Sequence, residues 1–179
     1  MIAYTANDLA RSFRTVRHNT LKIAHDIPEE KWPFRPVDGA RSIAELFAHI
    51  AALTRAPRHL HLIERRTFIT IDDFRSHNVE SAAYEKTLTS RDAIVHALKT
   101  DGDEFASMLE KLSDTDLAER VNFPPPIDPP SKTRFELLLG VKEHEMHHRG
   151  QLMLLQRMVG VVPHLTRERQ ARTQAAAAR

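Results

Sequence analysis

Four segments of this sequence repeat apolar residues every three or four positions, the spacing that places them on one face of an α-helix. No segment alternates apolar and polar residues with comparable strength, so there is little support for a sheet. The four segments begin at about Asn7, Ser42, Ser90 and Ser131. We therefore predict an all-α fold, a four-helix bundle.

The ends of the predicted helices carry their own signals. Pro28 follows the first helix, where it discourages a further turn. Ser42 and Glu45 form a capping box at the start of the second helix, and Ser131 is predicted to cap the fourth. Gly160 then closes the fourth helix. These signals mark where the first, second and fourth predicted helices begin or end.

The second and third predicted helices are separated by a long connection. Residues 66–89 show poor apolar periodicity, and their number is sufficient to run the length of a bundle. We therefore predict a crossover, with helices two and three parallel. Pro57 lies inside the second helical pattern, where it removes a backbone hydrogen bond and predicts a break near Ala56 or an early end.

The 179 residues have the length of one ordinary domain. We predict that residues 1–163 form this domain and that residues 164–179 form a basic tail that can be disordered. Removing the tail's four arginines and one glutamate takes the formal net charge from +2 to −1. No aromatic residue lies between those arginines, so a solvated tail is favoured over a phosphate-binding arm, and no nucleic-acid partner is expected.

The sequence contains no cysteine, which excludes disulfides, thiolate metal ligands and a cysteine nucleophile. This composition points to a reducing compartment. The chain neither begins with a signal-peptide pattern nor contains a run of the ~18 apolar residues that a membrane span requires. We therefore expect a cytoplasmic protein without a membrane partner.

The fourth helical segment contains two histidines one turn apart, His144 and His148. They are separated by about 40° around the helix and roughly 6 Å along it, so both imidazoles can reach one ion. With 11 histidines in the chain, such a pair also arises by chance, and spacing alone is weak support. Both lie on the predicted apolar seam, where a buried imidazole needs polar partners. That seam comprises Leu137, Val141, His144, His148, Gln151, Leu155 and Met158.

A third imidazole can come from the second helix, where His49 lies on the inward face. Three histidine ligands leave open positions for water or substrate, as in a catalytic zinc site. Alternatively, these histidines are partly exposed and bonded to backbone, water or carboxylates. The residues themselves leave both interpretations open.

Four further side chains are candidates to support such a site. His147 lies at the edge of the same face and could be a ligand or a donor to one. Gln151 and Glu145 flank the histidine pair and could hydrogen-bond a metal-bound water, and Asp101 on the third helix could orient a ligand histidine. Solvation or contacts between helices explain these side chains as well.

Two stretches of the chain resemble the DinB-like family of bacterial proteins. They read KWPFRPVDGARSIAELFAHI at residues 31–50 and EHEMHHRGQL at residues 143–152. The phrase ending in His148-Arg-Gly-Gln151 is the most specific part, and the resemblance spans roughly residues 5–160.

The resemblance implies a four-helix bundle with a crossover, often a homodimer, that binds a divalent transition metal. One ligand histidine belongs to helix two and two belong to the last helix, which correspond to His49, His144 and His148. Zinc and nickel are the metals implied, and imidazole accepts either.

The resemblance also implies a range of functions. Some members of the family resemble transferases or isomerases that use the metal to activate a low-molecular-weight thiol. Others have no assigned reaction and are linked to stress response. We therefore predict a metal-dependent transferase that activates a low-molecular-weight thiol against a small electrophile, with a small molecule or a thiol as partner. A metal-dependent hydrolase and a non-catalytic, stress-associated metal-binding protein are the alternatives.

Overall fold

Helices make up most of the structure, a computed structural model that describes residues 4–177. The first four helices are α1 (Ala6–Asp26), α2 (Ile43–Ala52), α3 (Arg55–Pro57) and α4 (Ile71–Thr87). The next four are α5 (Arg91–Leu109), α6 (Asp114–Ala118), α7 (Arg134–Met158) and α8 (His164–Ala177). Two short antiparallel strands are β1 (Arg120–Asn122) and β2 (Ser131–Thr133). No helix within residues 4–177 is long and apolar enough to cross a membrane.

Two apolar clusters join the long helices α1, α2, α5 and α7 into a bundle. One cluster joins the start of α1 to the end of α5 and the start of α7, with Leu9 and Phe105 fully buried in it. The other joins the end of α1 to the starts of α2 and α5 and the end of α7, around Ile43, Ile94 and Leu152. Helices α2 and α5 therefore run parallel to each other and opposite to α1 and α7. The predicted bundle with a crossover is confirmed.

The crossover contains a helix that the apolar spacing does not predict. Helix α4 occupies most of residues 66–89, the connection in which the sequence shows poor apolar periodicity. Thr70 and Asp73 form the capping box that starts α4. None of its residues is fully buried, which explains why the sequence shows no apolar stripe there. The hydroxyl of Tyr84 attaches α4 to the bundle by donating to the carboxylate of Asp101 at 2.9 Å.

Pro57 interrupts the second helical segment, as predicted. Helix α2 ends at Ala52, and after a short irregular step α3 forms a single turn that includes Pro57. The chain then continues through the wider, π-type turns of Arg58–Ile63. Because proline has no N–H, one backbone hydrogen bond of a regular α-helix is missing. This part of the chain accommodates the loss by changing from α-type to π-type turns.

The start of α7 differs from the prediction. Ser131 lies in β2 and does not cap the helix. Thr133 caps it instead, since its hydroxyl accepts the backbone N–H of Glu136 at 3.2 Å. The hairpin formed by β1 and β2 uses Ser131–Thr133 for strand pairing, so the helix can begin only after the strand ends.

The basic tail is helical over its described part, although its composition left it open to disorder. Helix α8 lies against α1, where Arg167 pairs with Asp26 at 2.8 Å and Lys22 pairs with Glu168 at 3.1 Å. The buried His164 reaches Asn19 from the start of α8 through Nε2, at 3.1 Å. Residues 178 and 179 lie outside the described residues.

A buried histidine makes the stability of this fold depend on pH. His61 is only 5% exposed, and its Nδ1 has no hydrogen-bond partner within residues 4–177. The guanidinium of Arg134 lies beside it and donates to the His61 carbonyl at 3.0 Å. Burial, with a further contribution from the Arg134 charge, lowers the pKa of His61 from 6.5 to about 4.

We expect His61 to lower the free energy of unfolding by about 2 kcal/mol as the pH falls from 7 to 5. Over this range the unfolded chain protonates His61 and the folded chain does not, so protons favour unfolding. Urea titrations at both pH values should show that His61→Leu removes this part of the pH dependence. His96→Leu, at an exposed position, should keep it. An unchanged dependence in His61→Leu would contradict the assignment.

Candidate metal centre

Three histidines from two bundle helices meet at one point. His49 comes from α2, while His144 and His148 come from successive turns of α7. One nitrogen of each ring lies within 4.8 Å of the corresponding nitrogens of the other two. The Nε2 atoms of His144 and His148 are 2.9 Å apart. The structure therefore brings together the three side chains that the sequence singled out as a ligand set.

His49 is held by a carboxylate from the crossover. Its Nδ1 lies 2.7 Å from Oε1 of Glu85 on α4. A carboxylate can only accept, so Nδ1 carries the proton and donates. The lone pair of the neutral ring is then on Nε2, the second ring nitrogen. This arrangement is the usual one for a ligand histidine, whose other nitrogen donates to a carboxylate.

His148 is held in the same way by a side chain of its own helix. Its Nδ1 lies 2.9 Å from Oε1 of Gln151, and Nε2 of Gln151 lies 3.2 Å from Nε2 of His147. With the amide oxygen accepting from His148, the lone pair of that ring is on Nε2, which faces His144. Gln151 therefore contacts a cluster histidine directly, and a hydrogen bond from it to a metal-bound water stays a prediction. The exposed His147 contacts Gln151 and the edge of His148.

The two histidines of α7 favour the neutral form of the imidazole. Partial burial lowers the pKa of His144 to about 4, with smaller contributions from the neighbouring histidines and from Arg41. Burial also lowers the pKa of His148, against the hydrogen bond that His148 donates to Gln151, which raises it. Neutral imidazole is the form that coordinates a metal, so His144 and His148 can bind a divalent ion at neutral pH without first losing a proton.

The buried face of α7 is displaced by one position from the predicted seam near the histidines. Glu145 and Leu152 are fully buried, whereas His144 and Gln151 are exposed. Val141, His148 and Leu155 lie on the buried face as predicted, but Met158 is 51% exposed. The cluster therefore lies at the edge of the bundle between α2 and α7, and not in its centre.

Two predicted supporting residues serve other contacts. The prediction that Glu145 supports the cluster is wrong, because its carboxylate accepts from the guanidinium of Arg17 and from the hydroxyl of Thr20. The prediction that Asp101 orients a ligand histidine is also wrong, because its carboxylate accepts from Tyr84 and not from a histidine. Both carboxylates join helices of the bundle, and neither contacts the three-histidine cluster.

An open cavity of about 400 Å³ lies beside the cluster. His148 and Gln151 form its polar end, and Arg41 lies on the loop that precedes α2. The volume falls in the range of small-molecule sites. Its lining consists of Pro36, Gly39, Ala40, Arg41, Leu46, His148, Gln151, Leu154 and Leu155.

Sequence reasoning missed Glu85 and Arg41. Glu85 lies in the poorly periodic connection between helices two and three, and the capping box of Thr70 and Asp73 was the available signal that a helix begins there. Arg41 precedes the cap of α2 in the loop, and nothing in the sequence marks it as facing a cavity.

The sequence and the fold both have known relatives. The model of the DinB superfamily matches residues 12–152. No curated protein matches the chain. A putative DinB family member from Exiguobacterium sibiricum has a similar fold, with 22% identity, a TM-score of 0.61 and coverage of 87% of this chain and 91% of that one.

Two Bacillus subtilis structures are similar as well. The DinB-like protein YjoA has 20% identity and a TM-score of 0.56, covering 85% of this chain and 91% of its own. YfiT, described as a probable metal-dependent hydrolase with an unusual four-helix bundle topology, has 15% identity and a TM-score of 0.63. That match covers 87% of this chain and 88% of YfiT. At these identities the likeness concerns the fold.

Proposed function

Because this chain belongs to the DinB superfamily, we propose that it is a metal-dependent enzyme that activates a low-molecular-weight thiol against a small electrophile. The observation that carries the proposal is the convergence of His49, His144 and His148 beside an open cavity. A metal that only joined two helices would be served equally well by a closed site.

The three histidines would hold the ion, and the side chains that accept hydrogen bonds from them would fix the orientation of their rings. Glu85 orients His49, and Gln151 orients His148, in each case by accepting from Nδ1. A bound divalent ion supplies Lewis acidity, which lowers the pKa of a thiol or a water that it coordinates. The chain has no cysteine, so a thiol has to come from solution.

The cavity supplies the rest of the site. Leu46, Leu154 and Leu155 give it apolar walls that can exclude water from a bound electrophile. Gln151 lies at the boundary between these walls and the cluster, with its amide already committed to His148 and His147. The side chains around the cavity therefore bind and orient, and no carboxylate of the described lining is placed to act as a general base.

Hydrolysis is the second candidate, and the likeness to YfiT favours it. Water would then replace the thiol as nucleophile, with the same three histidines and the same cavity. Zinc or nickel is the proposed metal, since an all-imidazole ligand set suits either. The homodimer implied by the family resemblance stays a prediction.

The two reactions can be tested on one preparation. Zinc- or nickel-loaded protein should accelerate conjugation of monochlorobimane to at least one of cysteine, glutathione and coenzyme A. His49→Ala should fall to the rate of metal-free protein, while His96→Ala should match wild type because it is exposed on α5. Hydrolysis of 4-nitrophenyl acetate without conjugation of monochlorobimane to any of the thiols would favour the hydrolase. Retained metal with neither activity would contradict the enzyme and favour a non-catalytic, stress-associated role.

A further inference from the structure

The cavity beside the cluster combines apolar walls with a single permanent charge. Leu46, Leu154 and Leu155 belong to its apolar lining, and His148 lines it as well. Among the described residues that line the cavity, Arg41 alone carries a permanent charge. An apolar cavity with one fixed charge selects for a ligand that has an apolar body and one group of the opposite charge.

Arg41 differs from the other arginine of the same loop. Arg35 donates to the carboxylate of Glu45 at 2.7 Å and also to the carbonyl of Ala40, so its charge is used to fix the loop on α2. Arg41 is exposed and makes no ion pair or side-chain hydrogen bond to any residue between 4 and 177. Its guanidinium is therefore available to a ligand, and the loop that carries it is already held in place.

We propose that this cavity binds a small molecule with an apolar body and one anionic group, a carboxylate or sulfonate, with the anionic group at Arg41. The body would lie against Leu154 and Leu155, and the far end would reach the three-histidine cluster at His148. A planar guanidinium suits such a group because it can donate two parallel hydrogen bonds. The inference rests on the proposed function, since it names the substrate class of that site.

Arg41 lines two cavities, and their linings explain why the ligand is placed in the one that contains His148. A second cavity of about 520 Å³ also has Arg41 in its lining, but that lining combines the cations Arg35 and Lys86 with the carboxylates of Glu45 and Glu85, and its described residues include no histidine of the cluster. The described lining of the first cavity contains no carboxylate. The charge of Arg41 also reaches the cluster, because it contributes to lowering the pKa of both His144 and His148.

A matched pair of probes tests the anionic requirement. 4-Phenylbutanoate and 4-phenylbutanamide have nearly the same shape and differ in charge. We expect wild-type protein, free of metal, to bind the carboxylate about fivefold more tightly, as one partly exposed charge-assisted contact allows. Titrations followed by ¹H–¹⁵N NMR give both dissociation constants. Arg41→Gln should abolish the preference, and Arg169→Gln, which makes the same charge change at an exposed position of α8, should preserve it.

Repeating the titrations with zinc-loaded protein separates Arg41 from the metal as the anion-binding group. A preference seen only with zinc and unchanged in Arg41→Gln would overturn the proposal, as would equal affinities or no saturable binding in metal-free wild type. A preference in metal-free protein that Arg41→Gln removes would support it. Absence of zinc binding or of turnover would contradict the proposed function alone, because the metal-free comparison requires neither.

Discussion

Glu145→Ala is expected to lower the free energy of unfolding by about 3–5 kcal/mol, because it leaves the guanidinium of Arg17 buried without its counter-charge. The two side chains are 0% and 5% exposed and are 2.9 Å apart. Removing one member of such a pair costs far more than the pair contributes, since the remaining charge has no solvent to replace its partner.

The surroundings of Arg17 are built around this ion pair. Its Nε lies 3.0 Å from both oxygens of Glu145, and its Nη1 donates to the carbonyl of Leu98 at 2.6 Å. Gly102 on α5 makes room for the side chain, because a Cβ at that position would lie 2.9 Å from Nη1. The ion pair joins α1, α5 and α7, so its loss should also disturb the turn of α7 that carries His144.

Urea denaturation followed by circular dichroism measures the effect. Glu143→Ala, two residues earlier on the exposed face of α7, should stay within about 0.5 kcal/mol of wild type. Replacing both members with methionine should recover most of the loss, since well-packed apolar residues can substitute for a buried ion pair. A loss below about 1 kcal/mol in Glu145→Ala would show that water reaches Arg17 and that the pair is not buried in solution.

Removing a cluster histidine is expected to weaken metal binding by more than about 100-fold, beyond the 10- to 100-fold loss typical of removing an outer partner. Glu85→Ala should fall within that 10- to 100-fold range, because His49 keeps its ring but loses the acceptor of its Nδ1 proton. Competition titrations with a chromophoric zinc chelator give the dissociation constants.

Control variants separate direct effects on the cluster from general ones. Glu80→Ala removes a carboxylate from the same helix as Glu85, but that carboxylate contacts His77 and not the cluster, so zinc affinity should be unchanged. His147→Ala should weaken binding less than His148→Ala, since His147 contacts Gln151 and the edge of His148 but is not one of the three converging histidines. Equal losses of zinc affinity in Glu85→Ala, Glu80→Ala, His147→Ala and His148→Ala would indicate that zinc binding reports general damage to the fold.

The ligand candidates were accessible from the sequence because their positions follow from helix geometry. Two histidines one turn apart must share a face, and the position of His49 on an amphipathic helix faces the bundle interior. The bundle followed from four strong apolar stripes. These inferences depend on local periodicity, which the sequence contains in full.

The missed features depend on contacts between distant parts of the chain. Glu145 is a charged residue, so the sequence favours exposure, and only the arginine brought in by α1 makes its burial possible. That burial turns α7 by about one position and moves His144 to the bundle edge. Helix α4 buries none of its side chains fully and so has no apolar stripe, and for that reason Glu85 was not recognised as a partner of His49.

Metal content is the most direct test of the central claim that His49, His144 and His148 hold a divalent ion. Plasma mass spectrometry should be applied to tag-free wild type, His144→Ala and His148→Ala, each expressed with added zinc or nickel. We predict close to one metal ion per chain in wild type and substoichiometric metal in both variants, with all three proteins folded by circular dichroism. Wild type without bound metal, even after titration with zinc and nickel, would contradict the claim.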